Sequence, residues 1–197
     1  METAVTPCII RENSSGFLRL SLQDEMLEHR EIGCVGEISQ ELVHSLILQL
    51  RYLQRTDPDA EITMYVNSNG GLVSEGLALY DVMQSVTAPV RTVCIGAAAS
   101  MAALLFLSGT KGRREILPHS RIMIHDPLVS GGLSGSATAV NEKAKQLMET
   151  REATAKIIAA HTGHSMDEVY GKTATDSWFD AESAIRWGMA DRIIRRI

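Results

Sequence analysis

Short apolar runs alternate with helical spacing along most of the chain after residue 30. Runs of strand length occupy residues 32–35, 62–66 and 90–95, and apolar positions at helical spacing follow Ser39, a residue type that caps helices. This β-α-β-α-β order predicts a mainly parallel sheet covered by helices, with right-handed crossovers. The same pattern places helices at 72–86, 98–107, 137–160, 166–172 and 181–187, and strands at 114–117, 121–125 and 189–194.

Three segments depart from the pattern of a compact core. Residues 1–30 are polar and weakly periodic, and residues 13–16 (Asn-Ser-Ser-Gly) are a turn signal, so we expect a mobile arm or a hairpin. Residues 129–135 are rich in Gly and Ser, which indicates a flexible loop, or a strand that another backbone approaches closely. The helix at 137–160 would be about 36 Å long. This length favours a projecting element that packs on another subunit over a helix of the core.

Composition and charge argue against several classes of protein. The chain carries 24 acidic and 19 basic residues, a formal net charge of −5, so no basic excess points to nucleic acid or an anionic membrane. The longest apolar stretch, residues 95–107, is too short to span a bilayer, and the N-terminus lacks a signal-peptide pattern. We therefore expect a cytoplasmic protein. Its three cysteines lie far apart in apolar contexts, which is typical of reduced core thiols: Cys8, Cys34 and Cys94.

Motifs for nucleotides and metals are absent from the sequence. It contains no phosphate loop, no dinucleotide fingerprint and no CxxC or HExxH pair. His161 and His164 are three residues apart, but they flank Gly163 at a helix end, which argues against a shared ligand face. We therefore predict no metal.

Two turns that follow strands carry candidate chemistry, because functional groups collect at the carboxyl ends of parallel strands. Residues 67–71 (Asn-Ser-Asn-Gly-Gly) can expose backbone N–H groups at the start of a helix, which suits an oxyanion hole; an ordinary tight turn is the alternative. Residues 96–102 are mostly small and place Ser100 in the first turn of a helix. Ser100 is therefore a candidate nucleophile or, alternatively, an N-cap.

A serine nucleophile needs a base, and the base needs a carboxylate that orients it. Of six histidines, His125 ends an apolar strand, which puts it on the same rim as Ser100; a structural histidine is the alternative. Asp126 is adjacent but would point to the other side of the strand. Asp176 and Asp180 lie in a loop after a helix, and spacing does not choose between them.

Several motifs in a fixed order carry a family resemblance. They occupy residues 67–71, 96–101, 117–128, 161–163 and 175–179. Together they resemble the proteolytic subunit of the ATP-dependent Clp protease, from about residue 32 to residue 194.

The resemblance implies a crotonase-like α/β fold, with a mainly parallel sheet covered by helices and a projecting strand–helix handle at about 127–161. It implies a single serine peptidase domain over 31–197, preceded by an N-terminal axial arm, or gate, at 1–30. The implied activity is that of a serine endopeptidase, and Asp176 is favoured over Asp180. The residues assigned by the resemblance are Ser100, His125 and Asp176 as the catalytic triad, the backbone N–H groups of Gly71 and Met101 as oxyanion donors, and Leu128 as a contact to substrate backbone.

The resemblance also implies partners. Homo-heptameric rings stack as a tetradecamer, alone or mixed with a second isoform, and an AAA+ unfoldase feeds them unfolded polypeptides. The unfoldase uses the ATP, so this chain needs no cofactor. Large apolar side chains at the unfoldase-docking rim are retained at Tyr65, Val93, Ile95 and Leu117, whereas Thr63, Ser85 and Glu115 stand at other rim positions.

The departures from the family pattern indicate a divergent paralogue. A charge and two small hydroxyls weaken an apolar anchor site, so we expect poor unfoldase docking or a mixed complex. Asn69 replaces the usual proline of the glycine turn and Ala102 a usual glycine, which alters the pocket without removing the chemistry. Two alternatives are a crotonase-type acyl-CoA enzyme, which would need an acidic catalyst and a CoA site, and a non-catalytic subunit of a mixed ring.

Overall fold

A computed structural model describes residues 7–14, 16–129, 131–132 and 134–197 of the chain. Within these residues, nine strands and seven helices follow one another. The strands are β1 Cys8–Asn13, β2 Gly16–Ser21, β3 Glu31–Val35, β4 Ile62–Ser68, β5 Val90–Ala99, β6 Arg114–Ile116, β7 Arg121–Ile124, β8 Ser177–Asp180 and β9 Arg192–Ile193. The helices are α1 Leu22–Glu28, α2 Gln40–Thr56, α3 Val73–Ser85, α4 Met101–Leu107, α5 Ala137–Thr162, α6 Met166–Thr173 and α7 Ala181–Arg186.

The main sheet is parallel except at one edge. Strands β3, β4, β5, β6 and β9 lie side by side in that order and pair in parallel. β7 also pairs in parallel with β5, and β8 runs antiparallel to β7. The predicted mainly parallel sheet is confirmed. The loop expected around Asp176 and Asp180 is wrong for Ser177–Asp180, which forms β8 and contains two strand-favouring aromatic residues.

Strand β5 bends at Gly96 and so pairs with one strand before the bend and with another after it. Residues 92–94 pair with β6, and residues 97–99 pair with β7. The register with β4 shifts across this point, as in a β-bulge, and Gly96 has a φ of +81°. The helix expected from residue 98 begins only at Met101, because pairing with β7 holds three alanines extended against their helix propensity.

Helix α4 is buried over its whole length. All seven of its residues are buried, as expected for a helix that is apolar on every side, and it contacts β5, α3 and α5. Helix α2 instead buries one stripe, and the Ser39 side chain caps it as predicted by accepting a hydrogen bond from the Leu42 N–H. The stripe consists of Val43, Leu46, Leu50 and Leu53.

The N-terminal segment forms a hairpin followed by a short helix. β1 and β2 pair antiparallel around the turn predicted at 13–16, and residues 1–6 lie outside the described residues. Ser21 and Asp24 form a capping box that starts α1, a helix that the sequence pattern does not predict. Arg11 on β1 pairs with Glu28 on α1 at 2.8 Å, which attaches the hairpin to the helix.

Helix α5 extends far beyond the core. Its 26 residues run from the N-cap Ser136 to Gly163, whose left-handed φ of +82° ends the helix as predicted. Thr154, Ala155 and Ile158 are its buried residues, all in the C-terminal half. Across residues 137–153, every one of which the structure describes, no side chain is buried. The first half of α5 therefore has no core beneath it, in agreement with the projecting element expected from its length.

Two segments contain less strand than the sequence allows, and the described residues of 129–135 fit the loop that is the other expectation there. The described residues of the segment 129–135 form no strand, because no neighbouring backbone pairs with them; residues 130 and 133 lie outside the description. Of the predicted handle, the described residues form its helix, and those between 129 and 135 form no strand. The final strand expected at 189–194 shrinks to β9, because the N–H groups of Met189 and Ala190 donate to the carbonyl of Ala184 at the end of α7.

Two of the three cysteines are core thiols. Cys34 and Cys94 are buried, and burial raises the pKa of each thiol to about 12. They are therefore protonated and inert as nucleophiles near neutral pH. Cys8 is exposed on β1, so the expectation of a core thiol is wrong there. Over the described ranges, no helix combines the length and apolarity that a membrane crossing needs.

Candidate active site

Ser100 lies on a strained turn between β5 and α4. Its φ of +56° and ψ of −125° are rarely adopted by residues other than glycine, and such strain clusters at functional sites. The backbone is held there because the Ser100 N–H donates to the Met123 carbonyl at 2.8 Å. The Ser100 side chain makes no capping hydrogen bond to α4, so the N-cap alternative does not describe it.

His125 follows β7 and lies against Ser100. The parallel pairing of β5 with β7 brings Met123 beside Ala99, so the ends of the two strands meet at one edge. His125 Nε2 is 2.8 Å from Ser100 Oγ, and His125 Nδ1 is 3.1 Å from Asp176 Oδ1. With the proton on Nδ1, the imidazole donates to the Asp176 carboxylate and accepts from the Ser100 hydroxyl. The serine, the histidine and one aspartate thus form a continuous hydrogen-bonded chain.

Strand β8 distinguishes between Asp176 and Asp180, the two aspartates between which spacing does not choose. Ile124 pairs with Ser177, so Asp176 comes directly beside His125. Asp180, at the other end of β8, caps α7 by accepting from the Ser183 N–H at 2.8 Å, and these Ser183 hydrogen bonds lower the pKa of Asp180. Asp126 pairs with a different residue, as described below. The geometry therefore brings only Asp176, of these three, to the histidine.

The glycine turn 67–71 packs directly on the serine turn. A Cβ built at Gly70 would lie 2.8 Å from Ser100 Cβ and 3.2 Å from the Met101 backbone nitrogen. Ile38 fixes the glycine turn, since its N–H donates to the Gly70 carbonyl and its carbonyl accepts from the Leu72 N–H, both at 2.9 Å. No sequence pattern indicates this role of Ile38, because its backbone groups make both contacts.

A cavity lies beside this junction. It has a volume of about 480 Å³ and is lined by residues 36–37 and 67–71. Gly70, which lines the cavity, also packs against Ser100, although Ser100 and His125 are not among the residues that line it. The arrangement offers a nucleophile, a base in hydrogen-bond contact with it, and adjacent backbone N–H groups, which together suit acyl transfer.

A family model described as Clp protease matches residues 16–197. The chain belongs to the Clp protease family. The resemblance and the crotonase-like α/β fold predicted from the sequence are thereby confirmed. As a member of the family, the chain is a Clp-type serine peptidase, and the acyl-CoA enzyme considered as an alternative is not favoured.

The remaining predicted contact residues of this Clp protease chain differ in their exposure. Leu128 is exposed three residues after His125 and forms no strand pairing in the structure. Tyr65 and Ile95 are half-buried and line a groove of about 920 Å³ between α1, β3 and α2. Leu117 is also half-buried. Val93 is fully buried in the sheet, so its side chain offers no surface to a partner.

The polar side chains at the predicted docking rim are buried or hydrogen-bonded within the fold, which the sequence does not indicate. Glu115 is 3% exposed and accepts hydrogen bonds from Arg91 at 2.5 Å and from Arg192 at 2.6 Å. Its charge is therefore neutralised within the sheet and does not face a partner as an isolated carboxylate. Thr63 is buried, and the exposed Ser85 hydroxyl donates to a carbonyl of its own helix.

The two spaced histidines have separate partners. His161 Nε2 lies 3.1 Å from the Tyr80 hydroxyl, and burial together with Arg114 lowers the pKa of His161. His164 stacks on Trp187, with ring centroids 4.3 Å apart. Over the described residues, no group of three or more His, Cys, Asp or Glu side chains is arranged to hold a metal ion. The expectation that the chain needs no cofactor stays a prediction.

Gly70→Ala tests the close contact between the two turns. The added Cβ would meet the Ser100 Cβ and the Ala99 carbonyl at 2.8 and 2.9 Å, and the backbone carbonyl cannot rotate away. We expect the free energy of unfolding to fall by about 1–3 kcal/mol beyond the cost of the positive φ, as for other overpacked sites. Urea denaturation measures this loss.

Gly112→Ala is the matched control for Gly70→Ala. Gly112 has a φ of +86°, close to the +98° of Gly70, but nothing lies within 4 Å of its Cβ position. The free energy of unfolding of Gly112→Ala should fall only by the conformational cost of the positive φ, about 1–2 kcal/mol. Equal losses in the two variants would show that the two turns are not tightly packed.

Proposed function

We propose that the protein is the proteolytic subunit of an ATP-dependent Clp protease, a serine endopeptidase with Ser100, His125 and Asp176 as its triad. The observation that carries the proposal is the hydrogen-bonded chain from Ser100 Oγ to His125 Nε2 and from His125 Nδ1 to Asp176 Oδ1. The strained backbone of Ser100 adds support, since it directs the hydroxyl toward the histidine instead of the helix that follows.

The reaction follows from these contacts. His125 accepts the Ser100 proton at Nε2 while Oγ attacks the carbonyl carbon of the substrate peptide, which gives a tetrahedral intermediate. The histidine then donates that proton to the leaving amine as the C–N bond breaks. Water, deprotonated by the same nitrogen, attacks the acyl-enzyme and releases the second product with Ser100 restored. Asp176 holds Nδ1–H and stabilises the imidazolium that forms in each half of the reaction.

The oxyanion of each tetrahedral intermediate needs donors that are in place before the reaction. We assign this role to the backbone N–H groups of Gly71 and Met101. Support comes from the contact of Gly70 with both Ser100 and the Met101 nitrogen, and from the position of Met101 at the first residue of α4. Leu128 is exposed three residues after His125. We propose that its backbone pairs with the substrate backbone, so that the substrate becomes the strand partner that Leu128 lacks in the single chain.

Assembly into a closed compartment would keep folded cellular proteins away from the candidate serine. Ser100 is half-buried, and the first half of α5 has no core beneath it. We propose that α5 joins two heptameric rings into a tetradecamer and that residues 1–30 form the axial gate. An AAA+ unfoldase would hydrolyse the ATP and deliver unfolded polypeptides, so this chain itself would bind no cofactor. The cytoplasmic location stays a prediction.

Docking of the unfoldase is proposed at the groove lined by Tyr65 and Ile95. The neighbouring ion pairs of Glu115 occupy sheet positions where large apolar side chains would strengthen an anchor. We therefore propose a divergent paralogue that docks an unfoldase weakly, or that works beside a second isoform in a mixed complex.

Ser100→Ala should abolish the proposed activity. Removing the nucleophile is expected to lower kcat for a peptide substrate by about a thousandfold or more. A fluorophosphonate probe, which bonds to the serine oxygen with loss of fluoride, should label the wild-type protein at Ser100 and leave the variant unlabelled. His125→Ala should also block labelling. Near-wild-type turnover by Ser100→Ala would overturn the catalytic assignment, and a wild-type protein without labelling or turnover would favour the non-catalytic subunit of a mixed ring.

Met148→Asp tests the proposed contact between rings. Met148 is 58% exposed on the first half of α5, where a large apolar side chain favours burial against another subunit. We expect native mass measurements to show a tetradecamer for the wild type and smaller assemblies for the variant. Gln146→Asp adds the same charge at an exposed polar position of the same helix and should retain the assembly. Identical behaviour of both variants would argue against this contact.

Degradation of a folded substrate tests the docking proposal. The protein alone with an unfoldase and ATP should degrade a folded substrate slowly while cleaving short peptides, because weak docking limits delivery and leaves the peptidase intact. Co-expression with a second isoform should raise the rate. Efficient degradation by this chain without a second isoform contradicts weak docking.

A further inference from the structure

An ion pair adjoins the base on the chain but takes no part in the proposed reaction. Asp126 is the residue after His125, and its Oδ2 lies 2.6 Å from Nε of Arg151 on α5. Both side chains are partly exposed, so neither charge needs the other to compensate for a loss of contact with water. The sequence pattern contains no signal for it, since the partners are 25 residues apart.

Arg151 and Asp126 together join three elements. The Arg151 guanidinium lies over the Tyr170 ring on α6, 4.0 Å from its centroid. The Asp126 N–H donates to the carbonyl of Thr173, the last residue of α6, at 2.7 Å. The end of β7, the middle of α5 and the end of α6 therefore meet at this ion pair, and α6 leads within three residues to Asp176.

The position of this junction matters because the sheet does not extend to the base and the acid. The antiparallel ladder of β7 and β8 ends with Ile124 paired to Ser177, so His125 and Asp176 lie just beyond it. The Asp176 side chain is 64% exposed, and water competes for its 3.1 Å hydrogen bond to His125. The alignment of the two side chains therefore depends on what holds their backbones beyond the ladder.

We propose that Arg151 is a positioning residue for catalysis. Through Asp126 and Tyr170 it holds the backbone after the base and the helix before the acid in one arrangement, so that His125 and Asp176 stay in hydrogen-bond contact. The proposal rests on the proposed peptidase function. It assigns Arg151 no contact with the substrate or the reacting atoms.

The expected consequence is a loss of rate without a comparable loss of stability. Partly exposed ion pairs contribute little to the free energy of unfolding. A displacement of a catalytic group by about 1 Å, in contrast, lowers a rate by about a hundredfold. Loss of alignment acts on the chemical step and leaves peptide binding unchanged, so kcat should fall while KM stays constant.

Arg151→Gln in the full-length assembled protein tests the proposal. With a short fluorogenic peptide, we expect kcat to fall by about 10- to 100-fold and KM to stay within about twofold of the wild type. The rate of fluorophosphonate labelling at Ser100 should fall by a similar factor. Arg186→Gln is the matched control, because Arg186 is exposed and pairs only loosely with Glu182, at 3.7 Å on its own helix; it should react at the wild-type rate.

Two further variants separate positioning from a general structural effect. Asp126→Asn removes the same ion pair without altering α5, and the double variant Asp126→Asn/Arg151→Gln should be no slower than the slower single variant. Arg151→Lys keeps a cation within reach of Asp126 and should recover most of the lost kcat. Native mass and thermal unfolding should remain close to those of the wild type throughout.

The outcomes distinguish this inference from the proposed function. A wild-type protein without labelling or turnover that depends on Ser100 overturns the proposed function itself. An active wild type together with Arg151→Gln at full kcat overturns the positioning role and leaves the function intact. A variant that loses rate only in step with its assembly, or that raises KM instead of lowering kcat, also overturns the positioning role.

Discussion

The parallel pairing of β5 with β7 brings the candidate nucleophile and the candidate base of this chain to one edge of the sheet, and the other groups are placed around them. Pairing of residues 97–99 with β7 keeps the backbone extended up to Ser100 and ends both strands at the same edge of the sheet. The bend at Gly96 makes this possible, because β5 can then leave β6 and turn to a second neighbour. The positive φ of Ser100 follows, since the chain must enter α4 directly from an extended strand.

The sequence predicts the two turns and the serine–histidine pair because each lies at the end of a clear apolar strand. It does not predict the third partner from the residues alone. β8 is only four residues long, and its aromatic residues, Trp178 and Phe179, were the available sign of a strand. Without β8, Asp176 and Asp180 are equivalent loop residues; with it, one faces the histidine and the other caps a helix.

Other differences arise where a contact distant in sequence decides the outcome. The alanines before Ser100 favour a helix locally, yet sheet pairing holds them in a strand. From the sequence, Glu115 is expected to be an uncompensated charge at the rim. In the fold, two arginines from neighbouring strands donate hydrogen bonds to it. A pattern along one segment records burial and spacing, but not the charge that another strand brings beside it. The fold class was therefore predictable, and the electrostatics of the sheet surface were not.

The composition of α5 has a consequence for its own folding. Its first seventeen residues bury no side chain, and isolated helices of about this length are marginal in water. In a free protomer, backbone amides in this half should open often and exchange hydrogen quickly, while those around Ile158 are protected by the core. Contact with another subunit would then supply the missing burial. Order in this half of the helix would rise with protein concentration, and its amides would report directly on assembly.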